Sequence, residues 1–170
     1  MKMTFQQYIQ NPMGIANSVI SNREMYRTMY TEKWNKIMLR ENSKVEYKLY
    51  KKKNGNYLIY IKIPSEIVPD FYYDTVIEFY PNEKPIVGSN SLADYYVKFY
   101  SNDPSFVYTY AHAFIKNELF IEDLKPKMSK QAVKKEAKIK NPQNMVGYCK
   151  SLYFAWLVIK SRGLDRKSVV

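Results

Sequence analysis

The side chains able to do covalent or acid–base chemistry are few in this sequence and far apart. Cys149 is the single cysteine and His112 the single histidine. A cysteine nucleophile needs a base within reach and a lowered pKa. Cys149 instead falls in an apolar run, which predicts a buried, unactivated thiol, and His112, with Tyr108 and Tyr110 nearby on a predicted helix, reads as structural. One histidine and one cysteine supply no metal site built on those ligands and no intrachain disulfide. The carboxylates cluster as Asp70, Asp74 and Glu78, and as Glu118, Glu122 and Asp123. Asp74 and Glu78 share one face of a predicted strand, as half of a metal-dependent nuclease site would. No lysine follows Glu78 at a spacing of two, however, and the five glycines form no phosphate-binding loop. The expectation is a non-enzymatic chain with no cofactor.

Binding chemistry is better represented. The net charge is +11, which draws a protein toward nucleic acid, anionic surfaces or acidic proteins. The excess is lysine; arginine occurs only at positions 23, 27, 40, 162 and 166. Lysine lacks the bidentate fork that reads guanines and phosphates, so sequence-specific DNA reading is disfavoured. Two clusters are the candidate polyanion contacts. Lys51, Lys52 and Lys53 crowd a predicted turn and are expected to project into solvent. Lys125, Lys127, Lys130, Lys134, Lys135, Lys138 and Lys140 stand in the segment 125–140, which also reads as a solvated connecting helix. A third element mixes tyrosine with lysine on predicted strands (Tyr47, Lys48, Tyr50, Tyr60, Lys62, Tyr96 and Lys98), where rings could stack bases without sequence preference. Zinc fingers, a recognition helix and the glycine-aromatic motif of single-strand platforms are absent.

The elements that carry these residues follow from patterning. Residues 1–20 are expected to form an arm: a short helical pattern (Phe5, Tyr8, Ile9) stops at Asn11-Pro12. Met13, Ile15, Val19 and Ile20 then follow without a period. Such a segment docks on its own domain or on a neighbour, and these four residues, with Met25, Met29 and Tyr30, are the candidate subunit contacts. Ser21-Asn22-Arg23-Glu24 reads as a capping box opening a helix to about Leu39, whose stripe holds Tyr26, Tyr30, Trp34, Ile37 and Met38. Val45 to Tyr50 alternates at period two, Asn54-Gly55 suits a tight hairpin turn, and Tyr57, Ile59, Ile61 and Ile63 return on one face. Further strands are expected at Tyr73–Tyr80 and Asp94–Tyr100. Asp103-Pro104 opens a helix to about Glu118, and Leu119–Leu124 is ambiguous. A last helix is expected from the Asn141 cap and Pro142 to Gly163, with 152–159 apolar all round and therefore buried. That run is the longest apolar stretch and too short to span a bilayer.

Strands followed by helices predict an α+β fold: a small antiparallel sheet of four to five strands packed by N-terminal, middle and C-terminal helices. The single domain is expected over 21–164, with a disordered tail at 165–170. Met1 to Tyr8 lacks the apolar core of a signal peptide, and with one cysteine a reducing compartment is expected.

The stretches Asn-Asp-Pro-Ser-Phe-Val-Tyr-Thr-Tyr-Ala-His-Ala-Phe (102–114) and Val-Gly-Tyr-Cys-Lys-Ser-Leu-Tyr-Phe-Ala-Trp-Leu (146–157), the AT-biased composition and the arm together give a chain that resembles small virion proteins of tailed bacteriophages of low-GC hosts, of head, connector or neck type. The resemblance spans the whole chain diffusely and transfers no functional residue. It implies a structural component that binds other virion proteins or copies of itself, without a membrane, located in the virion and in the host cytoplasm before assembly. A basic surface would then face DNA or an acidic subunit. Two other readings stand beside it: a free, non-specific nucleic-acid-binding or regulatory protein using the lysine clusters, and a small inhibitor or adaptor of one host protein.

Overall fold

A computed structural model describes residues 2–10, 20–40, 45–81, 91–127 and 149–164, with the side chains of 20–26 and Thr109 left aside. Four strands, β1 (Glu46–Lys51), β2 (Tyr57–Pro64), β3 (Tyr72–Tyr80) and β4 (Tyr96–Ser101), form one antiparallel sheet in the order β1-β2-β3-β4. With its helices this makes an α+β fold. Odd-numbered residues of β2 and β3 point to one face: Ile59 stands between Leu49 and Ile77, and Ile77 beside Phe99. That face is the floor of the core, where Ile59, Ile61, Phe79, Val97 and Phe99 are fully buried.

The β1–β2 hairpin turns tightly at Asn54-Gly55, as expected, through a loop one residue longer than that pair. Its loop is Lys53-Asn54-Gly55, closed by the Lys52 amide donating to the Asn56 carbonyl at 2.7 Å and the Gly55 amide to the Lys52 carbonyl at 3.0 Å. Gly55 takes φ +90°, which matches a three-residue hairpin with a left-handed residue before the returning strand. The Asn54 side chain accepts from the Asn56 amide at 3.0 Å, so asparagine caps the loop from its middle position.

Among the helices on the buried face are α1 (Phe5–Gln10), α2 (Ile20–Met38) and α4 (Lys150–Ser161), the last lying across β2, β3 and β4. Helix α4 is shorter than expected. Cys149 is its N-cap, in extended backbone (φ −78°, ψ 135°), so the helix does not continue back through it toward Pro142; 141–148 lie outside the described residues. Its end is as expected, with Gly163 at φ +66°. The helix buries Leu152, Tyr153, Phe154, Ala155, Val158 and Ile159, while Trp156 and Leu157 are half-buried and Lys160 faces solvent. Helix α2 already includes Ile20, which places Ser21 inside the helix rather than at its cap. Trp34 packs on Phe154 with ring centroids 5.1 Å apart.

Residues 2–10 are part of this core. Met3, Phe5, Tyr8 and Ile9 are buried; Phe5 meets Phe79 at 5.4 Å and Tyr8 meets Phe99 at 4.6 Å. The start of the expected arm is thus folded onto its own domain, and the Arg27 guanidinium donates to the carbonyl of Ile9. Met13, Ile15 and Val19, like the tail 165–170, lie outside the described residues.

The helix after β4 starts at Pro104, passes through a π-helical segment (Phe106–Tyr110) and continues as α3 (Ala111–Lys116). Its last turn ends on Glu118 at φ 60°. The chain then reverses: Phe120 bridges Phe99 in parallel, and a 3-10 turn occupies Glu122–Lys127.

The two edges of the sheet differ. The outer edge of β4 is covered by the chain itself. The Val97 amide donates to the Met3 carbonyl at 3.0 Å, and the Phe99 amide to the Leu119 carbonyl at 2.8 Å. Thr4 adds an antiparallel bridge to Tyr96. Along β1, by contrast, no described residue pairs with the outer edge.

Candidate functional site

Strand alternation sends the even-numbered residues to the face opposite the helices. Lys48 lies opposite Tyr60, and Tyr50 opposite Leu58. Tyr60 neighbours Val76, and Val76 neighbours Tyr100. The segment 120–127 covers one end of this face, with Phe120 set edge-on to Tyr100 at 6.0 Å. Two clefts remain. One, of about 520 Å³, lies toward the β1 edge and is lined by residues 45–48 together with Tyr50, Tyr60 and Lys62. The other, of about 300 Å³, lies between the sheet and the 3-10 turn, against Tyr50, Lys52, Leu58, Tyr60, Asp74, Tyr100, Leu124 and Lys127 among others. Tyr50 and Tyr60 border both, so the two are halves of one groove.

Charges of both signs occupy the groove. The Tyr60 hydroxyl donates to the Asp74 carboxylate. Burial first, and that bond second, push the Tyr60 phenol well above its ordinary value, so it stays protonated. The Asp74 amide donates to Asn102 Oδ1 at 2.8 Å, which fixes the strand end. Glu78, also on this face, is buried and accepts from Lys52 Nζ at 2.8 Å and Asn56 Nδ2 at 3.2 Å. Asp74 and Glu78 are therefore engaged by a phenol, a lysine and an amide. Among the described residues no group of three or more His, Cys, Asp or Glu converges as metal ligands would.

Cys149 is fully buried, with Sγ 3.8 Å from Ser105 Oγ. Burial, with the nearby Asp103 charge, pushes its thiol up to about 12. A thiol this hard to ionise is a poor nucleophile. His112 is half-buried on α3.

The lysine clusters are divided. Lys51 is exposed and holds Nζ 5.7 Å above the Tyr57 ring. Lys52, expected at a solvent-facing fingertip, turns inward to Glu78 and lies 3.9 Å from Asp123. The buried Glu78 carboxylate draws it in, and that hydrogen bond raises its pKa. Lys53 is exposed in the turn. Lys125 pairs with Glu122 at 3.0 Å, whereas Lys127 is exposed at the groove's mouth. Lys130, Lys134, Lys135, Lys138 and Lys140 lie outside the described residues. Of the expected subunit contacts, Met29 and Tyr30 are half-buried, and Tyr30 packs on Tyr153 and Phe154 at 5.8 and 6.4 Å within its own domain. Ile20 and Met25 lie on α2, their side chains outside the description.

Strand periodicity finds Tyr50, Tyr60, Lys48 and Lys62 together. Alternation sets Tyr47 apart from them: it borders the cleft at the β1 edge, with its ring 5.9 Å from the Arg162 guanidinium. The contribution of Tyr100 and of residues 121–127 is missed by pattern reading. The apolar run Leu119-Phe120-Ile121 is its one local signal.

A second surface lies at the far end of the sheet. The Arg40 guanidinium donates to the carbonyls of Ser65, at 2.6 Å, and Glu66. Glu66 also pairs with Lys33 at 3.5 Å and Lys150 at 3.1 Å. Burial raises the Glu66 pKa, but the two ammonium groups outweigh it and hold the carboxyl below its ordinary value. The pinned loop presents Ile67, Val68 and Phe71 to solvent, and Leu39 is exposed beside Arg40 at the end of α2. Among the described residues no helix is long and apolar enough to cross a membrane. No family model, no curated protein and no solved structure matches this chain.

Proposed function

We propose that this chain is a non-enzymatic structural component of a phage virion that holds neighbouring subunits together. The observation that carries the reading is the contrast between the sheet edges. Residues 3–5 and 119–121 cover β4, whereas no described residue pairs with the outer edge of β1, where Leu49 and Tyr50 are exposed. A bare, partly apolar edge strand is a ready template for another chain. The pinned apolar loop at Ile67, Val68 and Phe71 supports the same reading, because exposed apolar surface held in one shape marks protein contacts.

The test is incorporation. In an infection expressing a tagged copy, the tag is expected in gradient-purified particles at a fixed copy number. A tag confined to the soluble lysate overturns the reading.

The open-face groove favours a second reading, non-specific binding of single-stranded nucleic acid. Tyr50 and Tyr60 offer rings for stacking, and Lys48, Lys62 and Lys127 make no ion pair among the described residues. Affinity for an oligonucleotide would then fall steeply with salt and drop on Tyr60→Ala. The carboxylates Glu46, Asp74 and Asp123 in the same groove oppose a polyanion, which is why this reading ranks second.

A further inference from the structure

We infer that the outer edge of β1, which no described residue pairs with, pairs with the β1 edge of a second copy of this chain about a twofold axis at Leu49, joining two sheets into one of eight strands. This deepens the assembly reading by naming the first neighbour.

Backbone direction sets the possibility. The Lys52 amide donates to Asn56 on the β2 side. Along an antiparallel strand the donors alternate sides, so residues 48 and 50 also turn inward. Tyr47, Leu49 and Lys51 therefore direct their amides and carbonyls outward. Leu49 is 40% and Tyr50 48% exposed, which leaves both side chains free to meet a partner strand.

Side-chain complementarity selects the partner and the register. A twofold at Lys48 would set two lysines face to face, and one at Tyr50 would set Lys48 against Lys52; like charges opposite each other oppose pairing. A twofold at Tyr47 pairs Glu46 with Lys48 but leaves Tyr50 and Lys51 without a partner. A twofold at Leu49 engages the whole strand. Leu49 meets its own copy, Lys48 meets Tyr50 of the second copy and Tyr47 meets Lys51, while Glu46 stands opposite position 52, where the Lys52 ammonium stays with Glu78. Lysine over tyrosine between adjacent strands is already this fold's habit. Lys51 covers Tyr57 and Lys98 covers Tyr80, each at 5.7 Å. The arrangement is self-complementary, as an isologous interface must be. Each chain carries +11, so mutual repulsion weakens the pair at low ionic strength and salt relieves it.

The experiment is sedimentation equilibrium of the purified full chain over a concentration series at low and high salt. The expected mass rises from 20.2 kDa toward twice that value, more readily at high salt. Leu49→Lys, placing two ammonium groups on the axis, is expected to weaken association roughly tenfold or more with an unchanged unfolding curve. Leu49→Cys is expected to form an interchain disulfide on mild oxidation, since opposed Cα atoms at about 5.5 Å lie within disulfide range; the wild type, with only buried Cys149, should not. A chain that stays at 20.2 kDa throughout, or a Leu49→Lys variant that associates like the wild type, overturns the inference. Cross-linking through Tyr47→Cys but not Leu49→Cys overturns the register. The isolated chain can fail this test while still entering particles, so the two proposals fail separately.

Discussion

The Ser151 hydroxyl donates a hydrogen bond to the Asp103 carboxylate across 48 positions of chain, joining the first turn of α4 to the loop after β4. The other carboxylate oxygen accepts from the Ser105 amide at 2.9 Å, capping the helix that begins at Pro104. The Asp103 amide in turn donates to Ser101 Oγ at 3.2 Å, and Ser101 meets Thr75 Oγ1 at 3.1 Å on β3. Thr75, Ser101, Asp103 and Ser151 are all buried, so each depends on the others for its partner. Asp103→Ala removes a cap and orphans the Ser151 hydroxyl, with an expected loss of about 2–4 kcal/mol in urea unfolding. Asp103→Asn keeps one capping oxygen and is expected to lose less than half as much. Equal losses would contradict the capping account.

The N-terminal segment is a structural part of the domain. Phe5 fills a slot against Phe79, and the Phe5 amide donates to the Tyr95 carbonyl at 3.0 Å. Phe5→Ala is expected to cost about 3–5 kcal/mol, and deletion of residues 2–10 to unfold the chain or leave it open at the β4 edge. Circular dichroism melting of the two variants checks this. A truncated chain with the wild-type melting curve would restore residues 1–10 to the role of a free arm.

How far the sequence reveals this fold depends on the range of the interactions involved. Ile59, Ile61 and Ile63 announce their face by alternation, Gly163 announces the end of α4, and Asp103-Pro104 the start of a helix, because each is decided by neighbouring residues. The burial of Tyr8 against Phe99 is decided 91 positions away and leaves only a short, weak helical pattern. The same holds for Lys52. A lysine triplet beside a turn reads as solvent-facing, and only the register placing Glu78 opposite Leu58 reveals the carboxylate that draws Lys52 in. The groove is legible on its strand side, through Tyr50 and Tyr60, and illegible on the side closed by residues 121–127, which arrive by a long connection.

Alkaline pH should destabilise the fold. Cys149 ionises near 9.0 when unfolded and near about 12 when folded, mainly because of its burial. Tyr60, Tyr95 and Tyr100 are likewise raised above 10.0 by burial. A group that holds its proton more tightly when folded gives full stability below its unfolded pKa. That stability is lost as pH climbs toward the folded value. The urea midpoint is therefore expected to decline from about pH 9 upward, with the first part of the decline flattened in Cys149→Ala. A midpoint level from pH 8 to 11 would show that these groups are not buried as described.

Lys52 and Glu78 separate the roles of the lysine triplet. Glu78 keeps 11% of its side-chain exposure and Lys52 29%, so the pair is partly screened. Lys52→Met, which leaves the buried carboxylate with Asn56 alone, is expected to cost about 1–2 kcal/mol, below the loss for a fully buried pair. Adding Glu78→Gln removes the stranded charge, so the double variant should be more stable than Lys52→Met alone. Retention of the chain on a polyanion resin should then divide by residue. Lys53→Met and Lys127→Met remove exposed charges and should elute at lower salt. Lys52→Met, whose charge is already answered by Glu78, should shift the least. A Lys52→Met shift as large as the other two would place that ammonium on the outer surface with them.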